Sequence, residues 1–167
     1  PICFYGHARF LGDVNGDGFA DAIRSVDYGA ELLLGAEDFQ KIETIKLTGA
    51  FDGTHGVAAI GDWNGDGFAD FAVSDSRTTD TPPSVVHVYA GNADAEWTPT
   101  TIAAPTGTTV ASFGTALEGG LDFDGDGYTD LFILDANEGR VHFAAGGPKS
   151  AGKIKASLTT GTTCDYY

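Results

Sequence analysis

The string GDVNGDGFADAI at residues 12–23 returns as GDWNGDGFADFA at 61–72 and as LDFDGDGYTDLF at 121–132. Three copies, starting at Asp13, Asp62 and Asp122, lie 49 and 60 residues apart. That period falls where propeller blades and other stacked repeat units lie. A chain built this way must place three chemically equivalent acidic loops at equivalent points of its fold.

The residues around each copy keep step. Upstream lies a short glycine-containing run (GHARFL, GVAAI or GTALEGG), and downstream an apolar one (AIRSV, FAVS or LFIL). A second downstream run ends in glycine: AELLLG at 30–35, VHVYAG at 86–91 and VHFAAG at 141–146. A fourth segment (KIETIKLT, WTPTTIAA or KIKASLTT) alternates polar and apolar residues with the two-residue period of a half-exposed strand. Each unit therefore predicts four strands, with the acidic string as the hairpin between the first and second. The insertion TTDTPPS reads as a loop, because its prolines cannot sit in a central strand.

The loop itself reads as a cation site. In DVNGDGFAD the side chains at positions 1, 3, 5 and 9 are Asp13, Asn15, Asp17 and Asp21, all oxygen donors. Calcium takes about six to eight oxygens, a backbone carbonyl at position 7 often among them, here that of Phe19. Glycine at position 6 (Gly18, Gly67, Gly127) permits the turn that gathers those oxygens. Two carboxylates ~5 Å apart at an effective dielectric of ~20 repel by about 3 kcal/mol. The expectation is that a loop without its cation splays. Magnesium suits the loop less well, since its small octahedral shell retains waters.

The EF-hand is the nearest competing motif, and its loop ends in a bidentate Glu at position 12. Here that position holds Arg24, Val73 or Ile133, and the residues around them suit strands. Position 9 must therefore carry the last carboxylate. The plainer alternative, ordinary Asn-Gly and Asp-Gly hairpin turns, does not require acids at positions 1, 5 and 9 three times over.

Composition narrows the remaining classes. With 24 acidic and 9 basic residues in 167, the formal net charge is −15, which argues against a nucleic-acid partner. No stretch approaches the ~20 apolar residues of a membrane span, and 24 glycines suit a soluble, turn-rich β protein. Methionine is absent even at position 1, so the sequence reads as a processed or excised piece.

The D-x-[DN]-x-D-G-x-x-D loop, set in a four-stranded unit of roughly 50–60 residues, resembles the FG-GAP repeat of integrin α-chain propellers and their microbial relatives. Phe113-Gly114 supplies a literal Phe-Gly, whereas no Gly-Ala-Pro follows any loop; Ser74-Asp75-Ser76 and Asp135-Ala136-Asn137 stand there instead. The resemblance implies one propeller blade per repeat and calcium in each loop. The matching positions are Asp13, Asn15, Asp17, Phe19 and Asp21; Asp62, Asn64, Asp66, Phe68 and Asp70; and Asp122, Asp124, Asp126, Tyr128 and Asp130. The expected fold is thus all-β, a single repeat domain over 1–167 with blades at about 1–49, 50–105 and 106–159. Residues 160–167 would form the first strand of a further blade, since TGTTCDYY echoes TGTTVASFG at 106–114.

Propellers close with about four to eight blades, so three leave a ring to be completed. The alternatives are a fragment of a longer propeller, a homo-oligomer that completes the ring, or closure by 160–167 on residues 2–10. Cys3 and Cys164, one near each end, are candidates for a disulfide, worth about 4–5 kcal/mol by loop entropy. His87 and His142 occupy one repeated third-strand position and read as packing or hydrogen-bonding groups, and His7 and His55 have no nucleophile partner in sequence. Trp63 is expected between blades and Trp97 at the surface as a recognition residue. The aromatics Phe19, Phe68 and Tyr128 are expected to anchor their loops in the core.

Ten loop carboxylates facing three Ca2+ ions would take the charge from −15 to −9, and as ligands they are poor acid/base catalysts. No nucleophile elbow, phosphate loop or zinc cluster is present in the sequence. The function expected is a non-catalytic, calcium-binding module, secreted or at the cell surface, which adheres to or recognises a protein or glycan ligand. The alternatives are a non-catalytic propeller segment of a secreted carbohydrate-active or other hydrolase, and a purely structural or oligomerisation unit.

Overall fold

The computed structural model describes residues 8–26, 29–47, 56–75, 84–94, 96–106, 112–148 and 152–159. Among the described residues, twelve strands form three four-stranded antiparallel sheets, each sheet ordered by chain sequence. Blade 1 holds β1 (Ala8–Gly12), β2 (Asp21–Val26), β3 (Gly29–Leu34) and β4 (Glu43–Leu47). Blade 2 holds β5 (Val57–Gly61), β6 (Asp70–Asp75), β7 (Val85–Tyr89) and β8 (Thr100–Ala103). Blade 3 holds β9 (Phe113–Leu121), β10 (Asp130–Asp135), β11 (Arg140–Ala144) and β12 (Ile154–Thr159). Every acidic string is the hairpin between the first and second strands, as its sequence predicts. A 3-10 turn, Phe39–Lys41, precedes β4 and is capped by the Asp38 carboxylate on the Gln40 N–H.

The first strands sit side by side, β5 between β1 and β9, so the sheets stack face to face as an open arc of blades. Period-two alternation supplies the two faces of each sheet. Ile23, Leu32 and Leu47 of blade 1 meet Val57, Phe71, Val73 and Tyr89 of blade 2 in one buried cluster. Ala72, Val86, Val88 and Ile102 on the opposite face of blade 2 meet Leu117, Leu131 and Ile133 of blade 3 in another. The middle blade is therefore apolar on both faces, and all six β6 residues are buried.

Backbone contacts fix how one blade docks on the next. The carbonyl at loop position 2 accepts a hydrogen bond from the following blade just past its third strand: Val14 from the Asn92 N–H (2.9 Å) and Trp63 from the Gly147 N–H (2.7 Å). The position-7 ring of the following blade lies over the position-4 glycine of the preceding loop. A Cβ on Gly16 would stand 2.7 Å from the Phe68 ring, and one on Gly65 would stand 2.5 Å from the Tyr128 ring. Gly125 shares the left-handed backbone of Gly65 (both φ +80), but a Cβ there meets nothing within 4 Å.

This contrast isolates the docking contact. Gly125→Ala should cost only the left-handed penalty, about 1–2 kcal/mol, whereas Gly65→Ala must also displace Tyr128 and should lower Tm clearly further. Equal losses in thermal melts would mean that the ring does not rest on the glycine.

Candidate metal centres

Each acidic loop is organised by its own carboxylates on its own amides. Asp13 accepts N–H bonds from Gly16, Asp17 and Gly18 at 2.6, 3.1 and 2.8 Å. Asp62 accepts them from Gly65, Asp66 and Gly67 at 2.8, 2.9 and 3.0 Å. Asp122 accepts them from Gly125, Asp126 and Gly127 at 2.7, 3.1 and 2.9 Å. Position 3 (Asn15, Asn64, Asp124) accepts from the position-5 N–H at 3.1, 2.8 and 3.2 Å. Position 5 (Asp17, Asp66, Asp126) accepts in turn from the N–H of Phe19, Phe68 and Tyr128 at 2.9, 3.0 and 3.0 Å. Successive side-chain-to-backbone turns of this kind bend the chain tightly.

Position 9 behaves differently, because it is buried. Asp21, Asp70 and Asp130 are 1%, 0% and 1% exposed. One oxygen of each accepts the N–H of loop position 2: Val14 at 2.7 Å, Trp63 at 2.9 Å and Phe123 at 2.7 Å. The other accepts the N–H of the glycine that ends the third-strand run: Gly35 at 2.8 Å, Gly91 at 2.8 Å and Gly146 at 3.0 Å. Burial raises the Asp21 carboxyl above its ordinary value and pushes Asp70 up to about 6, against the lowering effect of these N–H donors. The glycine repeat is visible in sequence, but its partner is not. Gly91 sits against the Phe68 Cβ and the Val14 carbonyl, each 2.7 Å from where a Cβ would stand, so a side chain has no room.

In loop 3, Asp122, Asp124 and Asp130 offer oxygens within 4.8 Å of one another, a spacing that suits a shared cation. Loops 1 and 2 carry Asn at position 3, and its amide donates to the position-5 carboxylate: Asn15 to Asp17 at 3.0 Å and Asn64 to Asp66 at 2.7 Å. Asp124 cannot donate. Lys155 from β12 stands in instead, 3.5 Å from Asp124 and 4.0 Å from Asp126. The sequence analysis missed Lys155, since nothing local links β12 to a loop 31 residues upstream.

Several expectations need correction. Within each loop an amide network meets the carboxylates, which the sequence reading did not foresee. The position-7 rings are not core anchors: Phe19 is 41% exposed, and Phe68 and Tyr128 are half-buried against the neighbouring loop. Trp97 is not a surface recognition residue, since its ring packs on the core between blades 1 and 2, 5.7 Å from Phe71. Trp63 does lie between blades, 5% exposed. Both histidines of the third strand bind fourth-strand hydroxyls, His87 to Thr101 at 3.3 Å and His142 to Ser157 at 2.7 Å. His7, His55, Cys3, Cys164 and the proposed strand at 160–167 lie outside the described residues.

His142 is fully buried, with its Nε2 3.9 Å from the equally buried Asp135, which also accepts the Ser112 hydroxyl. Burial lowers its pKa, outweighing the nearby Asp135. Apart from the loops, an open groove of about 470 Å³ runs between the outer strands of blades 2 and 3, lined by Ala103, Pro105, Ile154 and Lys155 among others.

An FG-GAP-like repeat model matches residues 13–73, and an FG-GAP repeat model matches residues 113–143. Together they take in all three acidic loops and more than half of the chain. The chain belongs to the FG-GAP repeat family. A comparison with curated proteins returned no match. The first FG-GAP match runs from Asp13 to Val73 and so crosses the blade 1–blade 2 junction, whereas the second runs from Phe113 through β11. No helix among the described residues is long and apolar enough to cross a membrane.

Two outcomes follow from this geometry. Asp130→Ala leaves the Phe123 and Gly146 N–H groups unpaired in a buried setting and should cost about 2–4 kcal/mol in urea unfolding, well above the loss from the exposed Asp122→Ala. Similar small losses for both would show that position 9 is not the brace. For His142, the folded pKa is lowered, so the unfolded chain binds the proton first. Its contribution is intact above about pH 6.5 and is lost as pH falls toward the folded value. His142→Gln should flatten the decline in urea midpoint between about pH 7 and 5; an unchanged slope would assign that decline to other groups.

Proposed function

We propose that the chain is a calcium-binding FG-GAP module of the secreted or cell-surface kind, non-catalytic, which recognises a protein or glycan ligand. The observation that carries the calcium reading is the threefold recurrence of one loop geometry, with three carboxylates converging in loop 3. Asp13, Asn15, Asp17, Asp21 and the Phe19 carbonyl would supply the oxygens in loop 1, with the equivalent residues in loops 2 and 3. Such sites tie the first and second strands of each blade together and reduce the self-repulsion of a chain at −15. Because these carboxylates are ligands and braces, ligand recognition falls to surfaces away from the hairpins. The groove between blades 2 and 3 is one such surface.

At about 1 mM calcium and a dissociation constant of about 0.1 mM, each site adds roughly 1.4 kcal/mol, and three together about 4 kcal/mol. Chelation should therefore lower Tm by many degrees. Asp17→Ala, Asp66→Ala and Asp126→Ala should each remove about a third of that effect, and calorimetric titration should give three ions per chain. A Tm indifferent to calcium would sink the reading.

A further inference from the structure

Loop 3 carries one carboxylate more than its equivalents. It holds Asp122, Asp124, Asp126 and Asp130, whereas loops 1 and 2, with Asn15 and Asn64 at position 3, hold three carboxylates each. Lys155 restores the balance: four carboxylates and one ammonium leave loop 3 at −3, the formal charge of each of the other loops.

The outer strand of blade 3 departs from its equivalents at this same residue. The β3–β4 and β7–β8 pairs run in unbroken register. Between β11 and β12 the register shifts: Phe143 lies opposite Ala156 and Ala144 opposite Ile154, so Lys155 is an extra residue with no counterpart across the ladder. A bulge of this kind re-aims the side chain it carries. Here it brings the ammonium to 3.5 Å from Asp124 Oδ2 and 4.0 Å from Asp126 Oδ2. The Oδ1 atoms of both residues are engaged within the loop, by the Asp126 N–H and the Tyr128 N–H. In loops 1 and 2 the corresponding Oδ2 of Asp17 and Asp66 accepts from a neutral Asn amide instead. Lys155 therefore stands where a cation would approach, in the one loop that has a charge to spare.

We propose that Lys155 is a tethered counter-cation of loop 3, which an entering calcium ion displaces. The proposal rests on the calcium reading above and adds to it a residue that sets the affinity of one site. A divalent ion that draws on Asp124 and Asp126 meets the ammonium on the same two carboxylates, and the two positive charges repel. The side chains of Lys155 and Asp124 are 54% and 29% exposed, so the ion pair itself is weak and yields to the doubly charged competitor. Loops 1 and 2 simply fill, whereas loop 3 exchanges one cation for another. Lys155 also lines the groove between blades 2 and 3. Calcium in loop 3 thus leaves that groove with an ammonium no longer held by the loop.

Calorimetric calcium titration of the full chain carrying Asp17→Ala and Asp66→Ala isolates loop 3. In that background Lys155→Met should tighten calcium binding by about three- to tenfold, the scale of one unit charge a few ångströms from a divalent ion in water. Lys155→Arg keeps the charge and should keep the parent affinity, which assigns the effect to charge and not to the shape of β12. In the unsubstituted chain, 13C relaxation at the Lys155 Cε should report a more mobile side chain in calcium than in chelator. A loop 3 affinity that is unchanged or weakened by Lys155→Met overturns the proposal, as does a Lys155 side chain equally ordered in both conditions. Absence of any calcium uptake by the unsubstituted chain would be a different failure, removing the calcium reading itself and the proposal with it.

Discussion

The buried carboxylate at position 9 is the interaction on which each blade depends. Asp21, Asp70 and Asp130 join three pieces of backbone that are distant along the chain: the turn of the acidic loop, the start of the second strand, and the glycine after the third. A buried carboxylate is expensive unless its lone pairs are met, and here backbone N–H groups from two directions meet them. Loop position and third-strand register are thereby coupled in a way that ladder hydrogen bonds alone would not achieve. The cost is visible in Asp70, whose acidity burial weakens despite three N–H donors.

Coupling within a blade also sets coupling between blades. Because position 9 holds loop position 2 in place, the carbonyl of that residue is aimed at the next blade, where Asn92 or Gly147 donates to it. The same turn presents a position-4 glycine on which the next blade's aromatic ring rests. One loop therefore performs three tasks: it gathers oxygens, braces its hairpin and forms the seat for its neighbour. Mutations in these loops should be read with all three roles in mind, since loss of the hairpin brace and loss of docking can follow from one substitution.

Much of the fold was legible in the sequence. Each of the twelve described strands overlaps a run read from the sequence, the fourth of each blade from its period-two alternation and the others from apolar or glycine-containing runs, and the hairpin assignment of the acidic strings holds in each blade. The reason is physical: a strand declares itself through local alternation, and an Asp-rich turn through side chains that reach only a few residues. What stayed hidden was long-range. Trp97 looks like a surface residue because its segment is polar, but its ring turns back onto Phe71. Phe68 and Tyr128 look like core residues because they are aromatic, but they belong to the seam between loops. Lys155 compensates Asp124 across the width of a sheet, a pairing that no local window contains.

The sequence by itself determined the repeat, the four strands of each blade, the hairpin place of each acidic loop and the family, because all of these rest on residue types at fixed short spacings. Only the tertiary structure decided which face of each sheet is covered. Alternation marks Arg24, Val73 and Ile133 as sharing one side of their strands, and Ile23, Ala72 and Phe132 as sharing the other. Whether a side is core or surface depends on the presence of a neighbouring sheet, which is a property of the stacking and not of the strand.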